Sequence, residues 1–120
     1  MLHGRVLIAD DQANSRELLR IVFEHHGCEV SEASDGLEAV RLALATNPDL
    51  VLLDLELPGL DGYAAARRLR DHGHLKPGSI IALTSTDEDV DVLRAAGFGD
   101  CIAKPVVFRE LSGRIPQFLG

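Results

Sequence analysis

Four short stretches of this 120-residue chain carry the residues able to do chemistry. They are Asp10-Asp11 in "IADD", Asp54 in "LVLLDLELPGLDG", Thr84-Ser85 in "ALTS" and Lys104-Pro105 in "AKP". Asp54 closes the most apolar run in the chain, where a carboxylate is costly to desolvate unless something compensates it. Three carboxylates brought within a few ångströms of one another repel and resist joint ionisation. A hard divalent cation relieves that repulsion, and Mg²⁺ takes oxygen ligands. With a Lys to add positive charge and a Thr hydroxyl to donate, such a group suits phosphoryl transfer to a carboxylate nucleophile.

That chemistry requires a fold that gathers the four stretches. Short β-rich runs alternate with helical patterns along the whole chain. The strands are expected at 5–10, 28–34, 50–54, 79–85 and 100–104. Helical patterns fill the gaps, at 14–27, 35–47, 63–73, 87–97 and 106–115. Asn14 and Glu17 form a capping-box pattern for the first helix, and His26 with Gly27 suits its end. Leu37, Val40 and Leu44 mark one face of the second. The fourth is weakened by a start crowded with acids. The fifth is expected to be limited by Gly113 and stopped by Pro116.

Five βα units with continuously apolar central strands predict an α/β fold, a single doubly wound domain with a parallel sheet covered on both faces. Strand order is not encoded in the pattern; the flavodoxin-like order 2-1-3-4-5 is the commonest five-stranded choice. In that order Asp10, Asp11, Asp54, Thr84, Ser85 and Lys104 all close strands around one crevice, at the switch between the first and third strands.

Composition narrows the partners. The net charge is −7, with 19 acidic against 12 basic residues, which argues against nucleic acid or an anionic membrane as a partner of this domain. No apolar run reaches the ~18 residues of a membrane span, and the N-terminus is no signal peptide. Cys28 and Cys101 lack metal-type spacing and are expected to be free thiols of a cytoplasmic protein. Residues 1–120 are expected to be one domain, with no output domain in the chain.

Together "IADD", "LLDLELPGLDG", "ALTS" and "AKP" resemble the motifs of the receiver domain of bacterial two-component response regulators, the CheY-like family, over nearly the whole chain. The resemblance implies that Asp54 accepts a phosphoryl group from a sensor histidine kinase or a histidine phosphotransfer protein. It implies Mg²⁺ held by Asp11, Asp54 and the backbone carbonyl of Glu56, with Asp10 acting through a metal-bound water. Lys104 would pair with Asp54 before transfer and with a phosphoryl oxygen after it. Thr84 would move to donate to that group, assisted by the Ser85 N–H. The bond to Pro105 would be cis. The domain would then be a signalling switch acting on a downstream protein, not a turnover enzyme, with only slow hydrolysis of its own phosphoryl group.

Departures from the family pattern concern output. Cys101 stands where relatives carry an aromatic that swings inward when the hydroxyl residue moves. Glu56 and Ser85 occupy places where smaller or neutral residues are common. Plainer readings exist: Asp11 as a turn residue, His25, His26 and His72 as helix-end residues, and the acids of "DEDVD" as a solvated helix start. Tyr63 reads as helix surface or core. Rival functions are a haloacid-dehalogenase-like phosphatase with an Asp nucleophile, and a receiver-like scaffold that is never phosphorylated. The first is disfavoured by Glu56 standing where that family places a second Asp. A flavin-binding flavodoxin is disfavoured by the acidic first turn "DDQANS".

Overall fold

The computed structural model describes residues 4–73, 75 and 78–119. Five strands, β1 (Arg5–Ala9), β2 (Glu29–Ala33), β3 (Leu50–Asp54), β4 (Ile80–Thr84) and β5 (Asp100–Ala103), alternate with five helices. The helices are α1 (Ala13–His25), α2 (Gly36–Thr46), α3 (Gly62–His72), α4 (Val90–Ala95) and α5 (Phe108–Leu119). All the strand pairs are parallel, and the order is β2-β1-β3-β4-β5. This is the expected doubly wound domain.

Strand side chains alternate between faces, so the one sheet serves two cores. Leu7, Ala9, Val51, Leu53 and Ala82 pack under α2, α3 and α4, while Val6, Ile8, Leu50, Leu52, Ile81 and Leu83 pack under α1 and α5. β3 and β4 are buried at every position, which is why they read as unbroken apolar runs.

Three local expectations are corrected. The Asn14–Glu17 capping box does not form: the helix begins at Ala13 behind Gln12, which makes no side-chain cap. The Gln12 N–H instead donates to Asp10 Oδ1 at 2.9 Å. Asn14 therefore lies inside the first turn, where its side chain cannot act as a cap. On α2 the buried stripe is Gly36, Ala39, Val40 and Ala43, and Leu37 and Leu44 are exposed. Small residues win that face because the helix sits hard against the chain: a Cβ at Gly36 would lie 1.7 Å from the Leu60 carbonyl oxygen.

α5 runs through both Gly113 and Pro116. An internal Pro costs about 3 kcal/mol. Burial of Leu111 and Ile115, each worth roughly 1.5–3 kcal/mol, with Phe118 and Leu119 packed behind them, offsets that. Ser112 Oγ, 2.9 Å from His26 Nε2, ties the helix to the end of α1. α4 is short, Cys28 and Cys101 are free thiols, and no described helix is long and apolar enough to cross a membrane.

Candidate functional site

The carboxyl ends of β1 and β3 are neighbours in the sheet, with Ala9 paired to Leu53. The next residue on each strand is an acid, so Asp10 and Asp54 emerge side by side. Both are buried, Asp10 completely. Asp11 follows at the exposed start of the turn into α1. Asp10, Asp11 and Asp54 each present an oxygen within 4.8 Å of the others. β4 and β5 place Lys104 opposite: its N–H donates to the Thr84 carbonyl at 2.7 Å, and its peptide bond to Pro105 is cis, as the resemblance implies.

Lys104 Nζ donates to Asp54 Oδ2 at 2.6 Å and lies 2.7 Å from Asp10 Oδ2. The pairing is closer than the sequence suggested, because one ammonium serves two carboxylates. Asp54 Oδ1 accepts from the Glu56 N–H at 2.9 Å. Asp10 Oδ1 is served by Gln12, whereas Asp10 Oδ2 is buried and accepts no hydrogen bond of regular geometry despite the nearby ammonium. Burial pushes the Asp10 carboxyl above its ordinary pKa, against the opposing pull of Lys104 and the Gln12 N–H. Burial also works against the Lys104 ammonium, but Asp10 and Asp54 outweigh it and hold that pKa above the ordinary value.

Among the described residues, three carboxylates face one ammonium, which leaves negative charge uncompensated. The buried Asp10 carboxylate beside oxygens of Asp11 and Asp54 is the donor set a hard divalent cation takes. The site opens into a cavity of about 530 Å³ lined by Asp11, Gln12, Ser15, Asp54, Glu56, Ser85, Lys104 and Pro105. Glu56 and Ser85 are exposed on its rim.

Thr84 does not line this cavity. Its hydroxyl donates to the Thr86 carbonyl at 3.0 Å and accepts from the Thr86 N–H at 3.2 Å. Cys101 is half-buried beside Phe98 and Leu93, with its carbonyl taken by Arg114 at 3.0 Å. Two supports escaped the sequence reading. Gly62 packs against the strand end so tightly that a Cβ would lie 2.3 Å from the Asp54 carbonyl oxygen. Arg16 donates to the Asp10 carbonyl at 2.7 Å while pairing with Glu32. The only signal for Arg16 was a basic residue one turn into the helix that follows the acids.

The family model of the response regulator receiver domain matches residues 6–116. The chain is 38% identical over 117 residues to the transcriptional regulatory protein ResD of Bacillus subtilis, covering 96% of this chain and 48% of that protein. It thus spans about half the length of the curated relatives it matches. Among solved structures, the receiver domain of sensor histidine kinase PA1611 from Pseudomonas aeruginosa, with magnesium in its active-site cleft, superposes with a TM-score of 0.84. The identity is 30%, over 98% of each chain. The receiver domain of Ssk1 from Saccharomyces cerevisiae, in complex with the phosphotransfer protein Ypd1, superposes with a TM-score of 0.86 at 29% identity. That match covers 98% of this chain and 90% of that one. Motifs, topology and sequence similarity agree over nearly the full length, and the chain belongs to the receiver-domain family of two-component response regulators.

Proposed function

We propose that this domain is a phosphorylation-dependent switch whose phosphoacceptor is Asp54. The observation that carries the reading is the Lys104 ammonium, shared at 2.6 and 2.7 Å by two buried carboxylates on the edge of an open cavity. The phosphoryl donor is a phosphohistidine on a sensor kinase or a histidine phosphotransfer protein. An Asp54 carboxylate oxygen attacks phosphorus, the P–N bond breaks, and the imidazole leaves with the proton it carries. The product is an aspartyl phosphate.

Asp11, Asp54 and the Glu56 carbonyl would hold Mg²⁺, with Asp10 contributing through a water. Bound there, the ion supplies charge neutralisation for the transferring phosphoryl oxygens. Lys104 orients the attacking carboxylate, and its three N–H donors let it pass from Asp54 to a phosphoryl oxygen. Asp10 keeps Lys104 charged and in place. The Thr84 hydroxyl and the Ser85 N–H are the remaining donors to the product.

The domain is a signalling module of the cytoplasm rather than a turnover enzyme. Its acidic balance suits output through a protein contact rather than nucleic acid. Incubation with acetyl phosphate and Mg²⁺ is expected to add one acid-labile phosphoryl group, read by intact mass. Asp54→Asn abolishes it and EDTA prevents it. Labelling that persists in the Asn variant, or steady turnover of small phosphate esters, overturns the reading.

A further inference from the structure

Beyond Thr84 a chain of contacts leads away from the acidic site. Thr86, whose backbone holds the Thr84 hydroxyl, also places its own Oγ1 3.3 Å from Thr84 Oγ1. Thr86 Oγ1 donates to Glu88 Oε1 at 2.7 Å. The second oxygen of the same carboxylate, Glu88 Oε2, accepts from the Tyr63 hydroxyl at 3.4 Å. Tyr63 stands on the first turn of α3 and meets Phe98 edge-on, ring centroids 5.9 Å apart. Phe98 is buried and, with Leu93 and Cys101, lines a small cavity of about 20 Å³.

The ends of this chain differ in strength. The Thr86–Glu88 bond is short, whereas the Tyr63–Glu88 bond is near the limit for a hydrogen bond. A shift of Thr86 that follows Thr84 therefore moves the Glu88 carboxylate, and the contact that gives way is the one to Tyr63. Cys101, at the place where the family pattern has an aromatic, has no ring to take part in such a rearrangement.

We propose that the position of the Thr84 hydroxyl is relayed through Thr86 and Glu88 to Tyr63. An aromatic on α3 thereby takes the part that Cys101 cannot play. Glu88 is a positioning residue in this scheme. Its use as an output rests on the proposed phosphoacceptor reading; the relay itself does not. Burial and the adjacent Glu88 charge both raise the Tyr63 pKa, as expected for a phenol held against a carboxylate.

The chain has one Tyr and no Trp, so Tyr emission reports on Tyr63 alone. A phenol bonded to a carboxylate loses emission by proton transfer in the excited state, and release raises it. In the resting protein, Thr84→Val deletes the hydroxyl with little change of shape, and Tyr63 emission is expected to rise. Glu88→Gln raises it as well, and Thr86→Ser, which keeps the hydroxyl, leaves it at the wild-type level. With Mg²⁺ and beryllofluoride, a mimic of the phosphoryl group, wild-type emission rises and Glu88→Gln shows no further change. An unchanged emission in Thr84→Val, or an equal beryllofluoride response in wild type and Glu88→Gln, overturns the relay. Failure of acetyl phosphate to label Asp54, with Thr84→Val still raising emission, removes the phosphoacceptor reading and leaves the relay standing.

Discussion

The two ends of the sheet carry hollows of similar size and similar residue types. At the amino end of β1, a cavity of about 550 Å³ is lined by Gly4, Arg5, Gly27, Glu29, Asn47 and Asp49. At the carboxyl end the acidic cavity measures about 530 Å³. Among the described residues, each combines acids with a single base. At the amino end the base is held loosely: Arg5 Nε lies 3.5 Å from Glu29, their side chains 60% and 82% exposed. At the carboxyl end Lys104 is 13% exposed and contacts side chains that are 0% and 8% exposed. Volume and composition do not separate the two; desolvation does. Buried charges interact strongly and can be perturbed by a ligand, whereas exposed ones are screened by water. The acidic end is therefore where charge can be put to chemical use.

Truncating the base at each end is the sharpest way to break this contrast. Lys104→Ala leaves two buried carboxylates without their cation, and breaking a buried pair costs roughly 3–5 kcal/mol. A loss of about 3 kcal/mol, the lower end of that range, is expected because burial raises the Asp10 pKa, so that carboxylate can relieve part of the cost by taking up a proton once Lys104 is gone. Arg5→Ala removes a solvated pair and a bond from Nη1 to the Thr46 carbonyl, for about 0.5 kcal/mol. Urea unfolding measures both. Equal losses would show that burial is not what separates the two ends.

Asp10→Asn is the second test and has the opposite sign. Burial raises the Asp10 pKa, so the folded protein binds that proton more tightly than the unfolded chain does. Stability therefore falls as pH rises from the ordinary carboxyl value of 3.8 through the folded value. Without metal, the Asn variant is expected to exceed wild type in stability at neutral pH and to lose that part of the pH dependence. Its Mg²⁺ affinity, followed as the rise in melting temperature with added ion, is expected to fall. A metal-free Asn variant less stable than wild type would mean that Lys104 needs both carboxylates.

What the sequence disclosed follows the same division. β1, β3 and β4 were legible because a strand buried on both faces leaves an unbroken apolar run. Asp10 and Asp54 were legible because each ends such a run, and Asp11 and Lys104 because they stand beside recognisable neighbours in "IADD" and "AKP". The depth of Asp10 was not, since burial depends on the neighbouring strands and on Arg16 and Gln12 closing over it. The resting partners of Thr84 were hidden too. Bonds from Thr84 to Thr86 and from Thr86 to Glu88, each two residues on, lie inside a connection without a hydrophobic period. Pro116 does not stop α5 because the tertiary burial of Leu111 and Ile115 overrides local propensity, and that burial is not encoded locally.

The smallest effect is expected back at the amino end, on Cys28. This thiol is buried just after α1 and next to the loosely paired hollow. Burial raises its pKa, and the charge of Asp49, which lines that hollow, adds to the rise. The neutral thiol is thus favoured by folding. Its contribution is fully present below the ordinary value of 9.0 and is lost as pH rises through the folded value. Cys101, half-buried on β5, is the better exposed of the two thiols. Iodoacetamide at pH 8 should therefore label Cys101 first, with Cys28 reacting only as the chain opens. Asp49→Asn should lower the Cys28 pKa only slightly, because burial is the larger cause. A large drop would mean that the amino end, too, holds a strong desolvated charge interaction, and the contrast between the two ends would fail.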